Sequence, residues 1–406
     1  MQKSRKPLAS IFLTVFLDML GVGIIIPVLP ALFVSEGTSI LPEGTTAAQQ
    51  AILYGYLTAI YPFMQFFGAP ILGSLSDRLG RRSMLLVSLA GTLIGYLLFG
   101  WAILIENLPL LFLSRALPGF TGGNISIIFS SISDITSDTP KDRPKYFGLV
   151  GMAFGLGFIM GPALGGVLAD NQVVSWFNHA TPFWFTALLT LGNILLLYFR
   201  FPETLVHPSQ SKLSLWSGFK NVQKAFSSVN LRGIFAVNLL MSLGFSFFTQ
   251  FFSVYLIQRF DMSVKDIGII FAWVGLWLVF TQGVTVRKLA KRFSSTQILR
   301  YSLLFLAISV PLLLIPSNPW NVMWINPFIA SFQGLSAPNM TTVVSASQCQ
   351  RTGRNTRYKS KYGLRRPNGS PIIAGYLSSL NGAYPIVAAG VTMFVGWLVF
   401  ISLKMD

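Results

Sequence analysis

The sequence predicts an all-α polytopic membrane protein with twelve transmembrane helices in two six-helix halves. Three observations carry this. Hydrophobic residues make up 52% of the 406-residue chain and charged residues only 11%, less than half the ~25% of a soluble domain. Long uncharged runs recur, each close to the ~20 residues that a helix needs to cross a bilayer. The net charge of +17 is gathered in short breaks between those runs. That is the positive-inside pattern, not the single basic face or tail that nucleic acid binding would use.

The basic start, MQKSRKP, runs directly into a full-length span, so no cleavable signal peptide is expected. Spans follow near 8–34, 51–75, 83–105, 109–135, 146–169 and 181–199. Residues 202–228 are polar, rich in Ser, Lys and Pro, and read as a linker. Further spans lie near 233–257, 266–286, 298–316, 320–345 and 385–403, while the apolar piece 371–377 is only seven residues long. The expected organisation is a six-helix bundle over 1–201, a cytoplasmic linker over 202–228 and a second bundle over 229–406.

Lys and Arg set the orientation. With a cytoplasmic N-terminus and alternating spans, 27 of the 30 basic residues fall in the cytoplasm. Arg259 and Lys265 fall outside, and Arg115 lies within a span. The basic stretch 351–366 and Lys404 must then share the cytoplasmic side, which requires twelve spans rather than eleven. Both termini are expected in the cytoplasm, and a cell-membrane (inner-membrane) location follows. The one cysteine, Cys349, excludes a disulfide framework and a multi-cysteine metal site. His179 and His207 sit in polar connections and form no cluster. No metal and no cofactor is expected.

The halves repeat weakly. Gly73-Ser-Leu-Ser-Asp77-Arg78-Leu-Gly80-Arg81-Arg82 joins spans 2 and 3, and Gly283-Val-Thr-Val-Arg287-Lys288-Leu-Ala-Lys291-Arg292 joins spans 8 and 9, offset by 210. A basic loop at the same place in each half is what a duplicated six-span unit predicts. In the first copy Gly73 and Gly80 permit close packing and a tight turn. Asp77 is placed to pair with a basic residue or face a helix N-terminus.

Three spans carry chemistry. Span 4 holds Arg115 in Leu113-Ser-Arg115-Ala-Leu-Pro-Gly119-Phe-Thr-Gly122-Gly123. An arginine at membrane depth costs at least ~2.5 kcal/mol and marks a functional candidate, the alternative being a side chain that snorkels outward. Span 5 holds Gly151, Gly155, Gly157, Gly161, Pro162, Gly165 and Gly166. Glycines four apart make a smooth helix face for close contact, and Pro162 removes one backbone hydrogen bond. Span 1 holds Asp18, the only carboxylate well inside a predicted span. Desolvation favours the neutral acid, which suits a group that must bind and release a proton. Asp134, at the inner end of span 4, is a second and weaker candidate.

These motifs resemble the drug/proton antiporter group of the major facilitator superfamily, and 8–170 is most similar to its tetracycline-type and multidrug exporters. The resemblance implies the major facilitator fold, a cytoplasmic gate in the 73–82 loop, and proton transfer through Asp18 tuned by Arg115. The span-5 motif is the one found in antiporters, so it implies export rather than proton-coupled uptake of a nutrient. In the tetracycline exporters span 3 carries an aspartate, whereas Ser88-Leu-Ala-Gly-Thr-Leu-Ile-Gly95-Tyr96 has Gly95 at that place, and no carboxylate lies deep in spans 7–12. Small lipophilic compounds therefore fit better as substrates than a metal–tetracycline cation. Candidate pathway residues are Tyr61, Gln65, Asn124, Asn238, Gln250, Tyr255, Gln282, Gln333 and Asn339, each equally suited to simple interhelical bonding. The expected protein is a monomer in a lipid bilayer that exchanges protons for substrate and binds no nucleic acid. An enzyme would need paired His, Asp or Ser groups at membrane depth, and none converge.

Residues 348–370, QCQRTGRNTRYKSKYGLRRPNGS, stand apart: seven basic residues and no acidic ones, where span 11 begins. From 371 to 403 there are 33 uncharged residues, too few for two spans and a turn, so the eleventh helix reads as damaged or shortened. A permissive back-translation of the segment, shifted by one base, reads SAREQGEILGINQSM. That string resembles the loop and span-11 opening of these exporters and implies two compensating frameshifts, in the gene or in its reading. The alternatives are a basic loop that binds anionic lipid, or a membrane protein that no longer transports.

Overall fold

The computed structural model describes residues 6–34, 40–42, 44–136, 143–205, 208, 229–350 and 369–403. Most of the linker 202–228 and of the basic segment 348–370 lies outside the described residues, as does His207. The helices are α1 (Lys6–Val34), α2 (Ala47–Leu79), α3 (Arg81–Leu104), α4 (Leu108–Thr121), α5 (Asn124–Ile135), α6 (Arg143–Leu168) and α7 (Thr181–Arg200). Then come α8 (Val229–Phe260), α9 (Val264–Phe280), α10 (Ser295–Ser309), α11 (Val322–Gln350), α12 (Ser370–Leu380) and α13 (Tyr384–Ser402). A π-helical turn, Thr281–Thr285, carries α9 on into Val286–Leu289.

Among the described residues, eight helices are long and apolar enough to cross a membrane. Helices α2 and α11, at 33 and 29 residues, are also long enough but carry more polar side chains. The polypeptide is an integral multi-pass membrane protein with an all-helical fold.

Two compact units emerge. The first comprises 1–45, 56–217 and 263–272; the second comprises 46–55, 218–262 and 273–406. In the first, α1 packs along α6, and α3 lies between α4 and α7. Its hydrophobic core includes Ile11, Val15, Leu72, Leu85, Leu89, Ile128, Ile132 and Phe201. In the second, α8 packs chiefly along α13, and α10 packs on α11 and α13. There the hydroxyl of Ser370, the first residue of α12, meets that of Ser246 in α8 at 2.6 Å.

Span 4 differs from the single helix that the sequence predicts. It is two helices, α4 and α5, separated at Gly122-Gly123. Gly122 turns to φ −73°, ψ 58°, and its N–H closes on the Gly119 carbonyl at 3.2 Å. The ladder is interrupted at membrane depth, so freed carbonyls need partners from outside the helix. The Ser88 hydroxyl takes the Thr121 carbonyl, and Gln65 Nε2 donates to the Gly122 carbonyl at 2.9 Å. Span 11 is short as expected: α12 has 11 residues and reaches ~16 Å, about half of a ~30 Å hydrocarbon core.

Candidate functional site

Asp18 lies in the middle of α1, three residues before Gly21. Asn124 is the first residue of α5. Its carboxamide Nδ2 donates to both carboxylate oxygens of Asp18, at 2.9 and 3.0 Å. Asn124 is 2% exposed. The break in span 4 sets this geometry: it places the start of a half-helix beside the carboxylate, with the positive end of the α5 dipole toward the charge.

Tyr96 of α3 completes the group. It is buried, and its hydroxyl stands where a β-carbon on Gly21 would fall. Asp18, Tyr61 and Arg115 all act on it electrostatically. The Arg115 guanidinium sits 4.7 Å from the centre of the Tyr61 ring, a cation–π contact that offsets part of the cost of a cation at that depth. Gln65 Nε2 also reaches the Tyr61 hydroxyl, at 3.4 Å. One carboxylate, one guanidinium, two phenols and two carboxamides thus form one cluster in the first unit.

The 73–82 stretch, which the sequence reads as a loop, is the end of α2, Gly80 and the start of α3, and it forms a separate charged cluster. Gly80 adopts φ 105°, a conformation that only glycine takes without strain, and this allows α3 to start one residue after α2 ends. Arg81 is 6% exposed. Its guanidinium meets Asp77 at 2.5 Å, Asp134 at 3.1 Å and the Ser76 hydroxyl at 2.7 Å. Asp134, the weaker candidate that the sequence sets beside Asp18 and Arg115, makes its ion pair in this cluster. Sequence reasoning missed Glu203, just beyond α7. Its carboxylate accepts from the backbone N–H groups of Arg81 and Arg82 at 2.8 and 3.1 Å, capping α3. Arg82 in turn donates to the Tyr198 carbonyl and stacks over that ring. Gly73 has open space beside it.

The span-5 glycines serve two faces of α6. A β-carbon on Gly157 would lie 2.7 Å from the Phe16 carbonyl, on Gly161 2.6 Å from that of Leu20, and on Gly165 2.8 Å from that of Ile24. This stripe lets α6 run flush along the stretch of α1 that carries Asp18. Pro162 and Gly166 face the start of α9, where Gly268 and Lys265 approach. Lys265 also pairs with Asp170 at 3.6 Å. Gly151 meets nothing, and Gly155 is buried.

The remaining candidates belong to the second unit. Tyr255 is engaged by Arg259, which also donates to the Leu314 carbonyl at 2.9 Å. Asn339 Nδ2 bonds the Leu335 carbonyl of its own helix at 2.8 Å. The backbone carbonyl of Gln250 takes the Tyr54 hydroxyl at 2.7 Å, and Gln282 is exposed on the π turn. Asn238 and Gln333 are half-buried on α8 and α11. Among the described residues no cluster of three metal-ligating side chains occurs.

A model of the Major Facilitator Superfamily matches residues 11–356. The chain is 33% identical over 300 residues to the class H tetracycline resistance protein of Pasteurella multocida, covering 71% of this chain and 68% of that one. It is 27% identical over 406 residues to multidrug resistance protein 1 of Bacillus subtilis (strain 168), covering 100% of this chain and 98% of the other. The crystal structure of the human organic anion transporter MFSD10 (TETRAN) superposes with a TM-score of 0.63 at 22% identity, over 98% of this chain and 100% of that one. The run of apolar helices, the duplicated basic stretch and the family match converge: the chain belongs to the Major Facilitator Superfamily.

Proposed function

We propose that the protein is a proton-coupled secondary transporter that exports small lipophilic compounds by alternating access. The observation that carries this is Asp18, a carboxylate at membrane depth gripped by Asn124 and grouped with Arg115, Tyr61 and Tyr96. Asp18 takes a proton from outside and releases it inside, and Arg115 sets the field in which it does so. The 73–82 loop, with Asp134 and Glu203, forms the cytoplasmic gate. The glycine face of α6 holds the Asp18 stretch of α1 in register. Similarity to tetracycline and multidrug resistance proteins supports export of drug-like compounds.

The finer reading assigns 1–201 and 229–406 to two transporting halves joined by the linker 202–228. Both termini lie in the cytoplasm, the protein works as a monomer in the cell membrane, and it is not an enzyme. Lipophilic cargo is favoured over a metal–tetracycline cation because Gly95 leaves no carboxylate in span 3. A β-carbon there would lie 2.7 Å from the Pro118 ring, so α3 and α4 are packed too closely for an aspartate. The test is proton flux driven by ethidium, tetraphenylphosphonium or tetracycline in proteoliposomes. Asp18→Asn is expected to abolish it, and unchanged flux in that variant would overturn the proton-carrier role.

The 11 residues of α12 favour a second reading, a membrane protein that does not transport. Sequencing the coding DNA across 340–375 separates the two. Flanking single-base insertions and deletions mean that the parent protein has a complete eleventh span. Confirmed basic codons with no acidic alternative frame mean that the span is remodelled.

A further inference from the structure

We infer that Asn124 is the positioning residue of the proton site, holding Asp18 as a carboxylate through Nδ2 and as an acid through Oδ1. The inference rests on Asp18 being the proton carrier, and it gives the break in span 4 a purpose.

The geometry begins with the unequal use of the two ends of the carboxamide. Nδ2 donates to Asp18 Oδ1 and Oδ2 at 2.9 and 3.0 Å. Oδ1 of Asn124 is buried and accepts no hydrogen bond among the described residues. A buried acceptor without a donor is unfavourable, so the ionised state satisfies only half of this side chain. The proton itself supplies the missing donor. Once a proton binds, one Asp18 oxygen becomes an O–H and the other remains an acceptor. The acid then matches a carboxamide edge to edge: O–H to Asn124 Oδ1, and Asn124 Nδ2 to the carbonyl oxygen. A small rotation of either group converts the forked arrangement into this two-bond ring. Only the O–H bond on Asp18 is made or broken, its proton coming from water on one side and leaving to water on the other.

Asn124 is fit for this task because of where the chain places it. It is the first residue of the 12-residue α5, directly after Gly122-Gly123. The carboxylate therefore also lies at the positive end of that helix. In the charged state the half-helix and Nδ2 both favour the anion. In the neutral state Oδ1 is satisfied. Each protonation state has a partner, so Asp18 switches between them without leaving a charge or an acid group unmet. A simple interhelical tie would use either end of the amide and leave the titration of Asp18 unaffected.

The test uses purified full-length protein in lipid nanodiscs and infrared difference spectra recorded during a pH titration. The carboxylic C=O band that disappears in Asp18→Asn identifies the group. In Asn124→Ala its midpoint is expected to move to higher pH by about one unit, a tenfold gain in proton affinity, because charge-assisted bonds to the anion are the stronger ones lost. The acid band should also move to higher frequency as its O–H partner disappears. Asn124→Thr retains one donor and one acceptor. Its midpoint should fall between the two, and it serves if the alanine variant does not fold. A midpoint and band position unchanged in both variants, with only thermal stability lowered, would overturn the positioning role while leaving Asp18 as the carrier. Absence of any band lost in Asp18→Asn would instead overturn the carrier reading.

Discussion

Glu203 accepts the backbone N–H of Arg81 at 2.8 Å, and so caps the start of α3 from beyond the end of α7. The same carboxylate takes the N–H groups of Arg82, Thr204 and Leu205. One side chain thus ties the start of α3 to the first residues that follow α7. Because the first turn of a helix has unpaired donors and a positive dipole end, an anion there is stabilising. Glu203→Ala should cost about 1 kcal/mol of stability, read as a lower unfolding temperature in detergent. Glu203→Gln, which keeps an acceptor and loses the charge, should cost less.

Arg81 touches Asp77, Asp134 and Ser76 together. Its removal leaves the Asp77 and Asp134 carboxylates without the cation they share. Arg81→Ala should lower stability by about 1–3 kcal/mol, less than a fully buried pair because Asp77 is 40% exposed. Arg81→Lys should rescue it poorly, since an ammonium is a point charge and cannot fork to two carboxylates. Pairing Arg81→Ala with Asp134→Asn should recover part of the loss. A double variant no better than the single one would show that repulsion between the carboxylates is not the cause.

The glycines of span 5 divide into tight and open positions. Gly161 has the Leu20 carbonyl 2.6 Å and the Gly23 Cα 2.7 Å from a would-be β-carbon, while Gly151 has open space. Gly161→Ala should push α1 away from α6 and cost about 1–3 kcal/mol, with a loss of proton-coupled transport because Asp18 rides on the displaced segment. Gly151→Ala should leave both thermal stability and transport near the parent values. Equal behaviour of the two variants would contradict the packing of α6 on α1.

Much of this was legible in the sequence because membranes impose simple rules. Span length, the segregation of Lys and Arg, and the loop repeated at an offset of 210 each follow from what a bilayer permits. Asp18 and Arg115 stood out because charge at that depth is costly. What remained hidden depends on which helices touch. Nothing in the residues around Glu203 announces that it caps a helix more than a hundred residues earlier. Asn124 reads as one amide among several until α5 is seen to begin at it. The glycine pair before it was the available signal: consecutive glycines in a span mark a place where the ladder can break. The pairing of Asp134 with Arg81 was hidden because sequence gives depth along a helix but not the partner across from it.

Gly95 offers the sharpest check on substrate class. If lipophilic cargo is carried simply because an aspartate was lost from span 3, restoring it should bring binding of a metal–tetracycline cation. The packing argues otherwise. A β-carbon at Gly95 would lie 2.7, 2.9 and 3.1 Å from three atoms of the Pro118 ring, and a proline ring inside a helix has little freedom to move aside. Pro118 also sits just ahead of the Gly122-Gly123 break that positions Asn124. Gly95→Asp should therefore separate α3 from α4, lower stability by about 1–3 kcal/mol, and weaken proton coupling without creating tetracycline export. The measurement is proton flux driven by magnesium–tetracycline beside flux driven by ethidium, in the same proteoliposomes. Gain of the first with the second intact would show that the α3–α4 contact yields readily, and that the aspartate alone separates the two substrate classes.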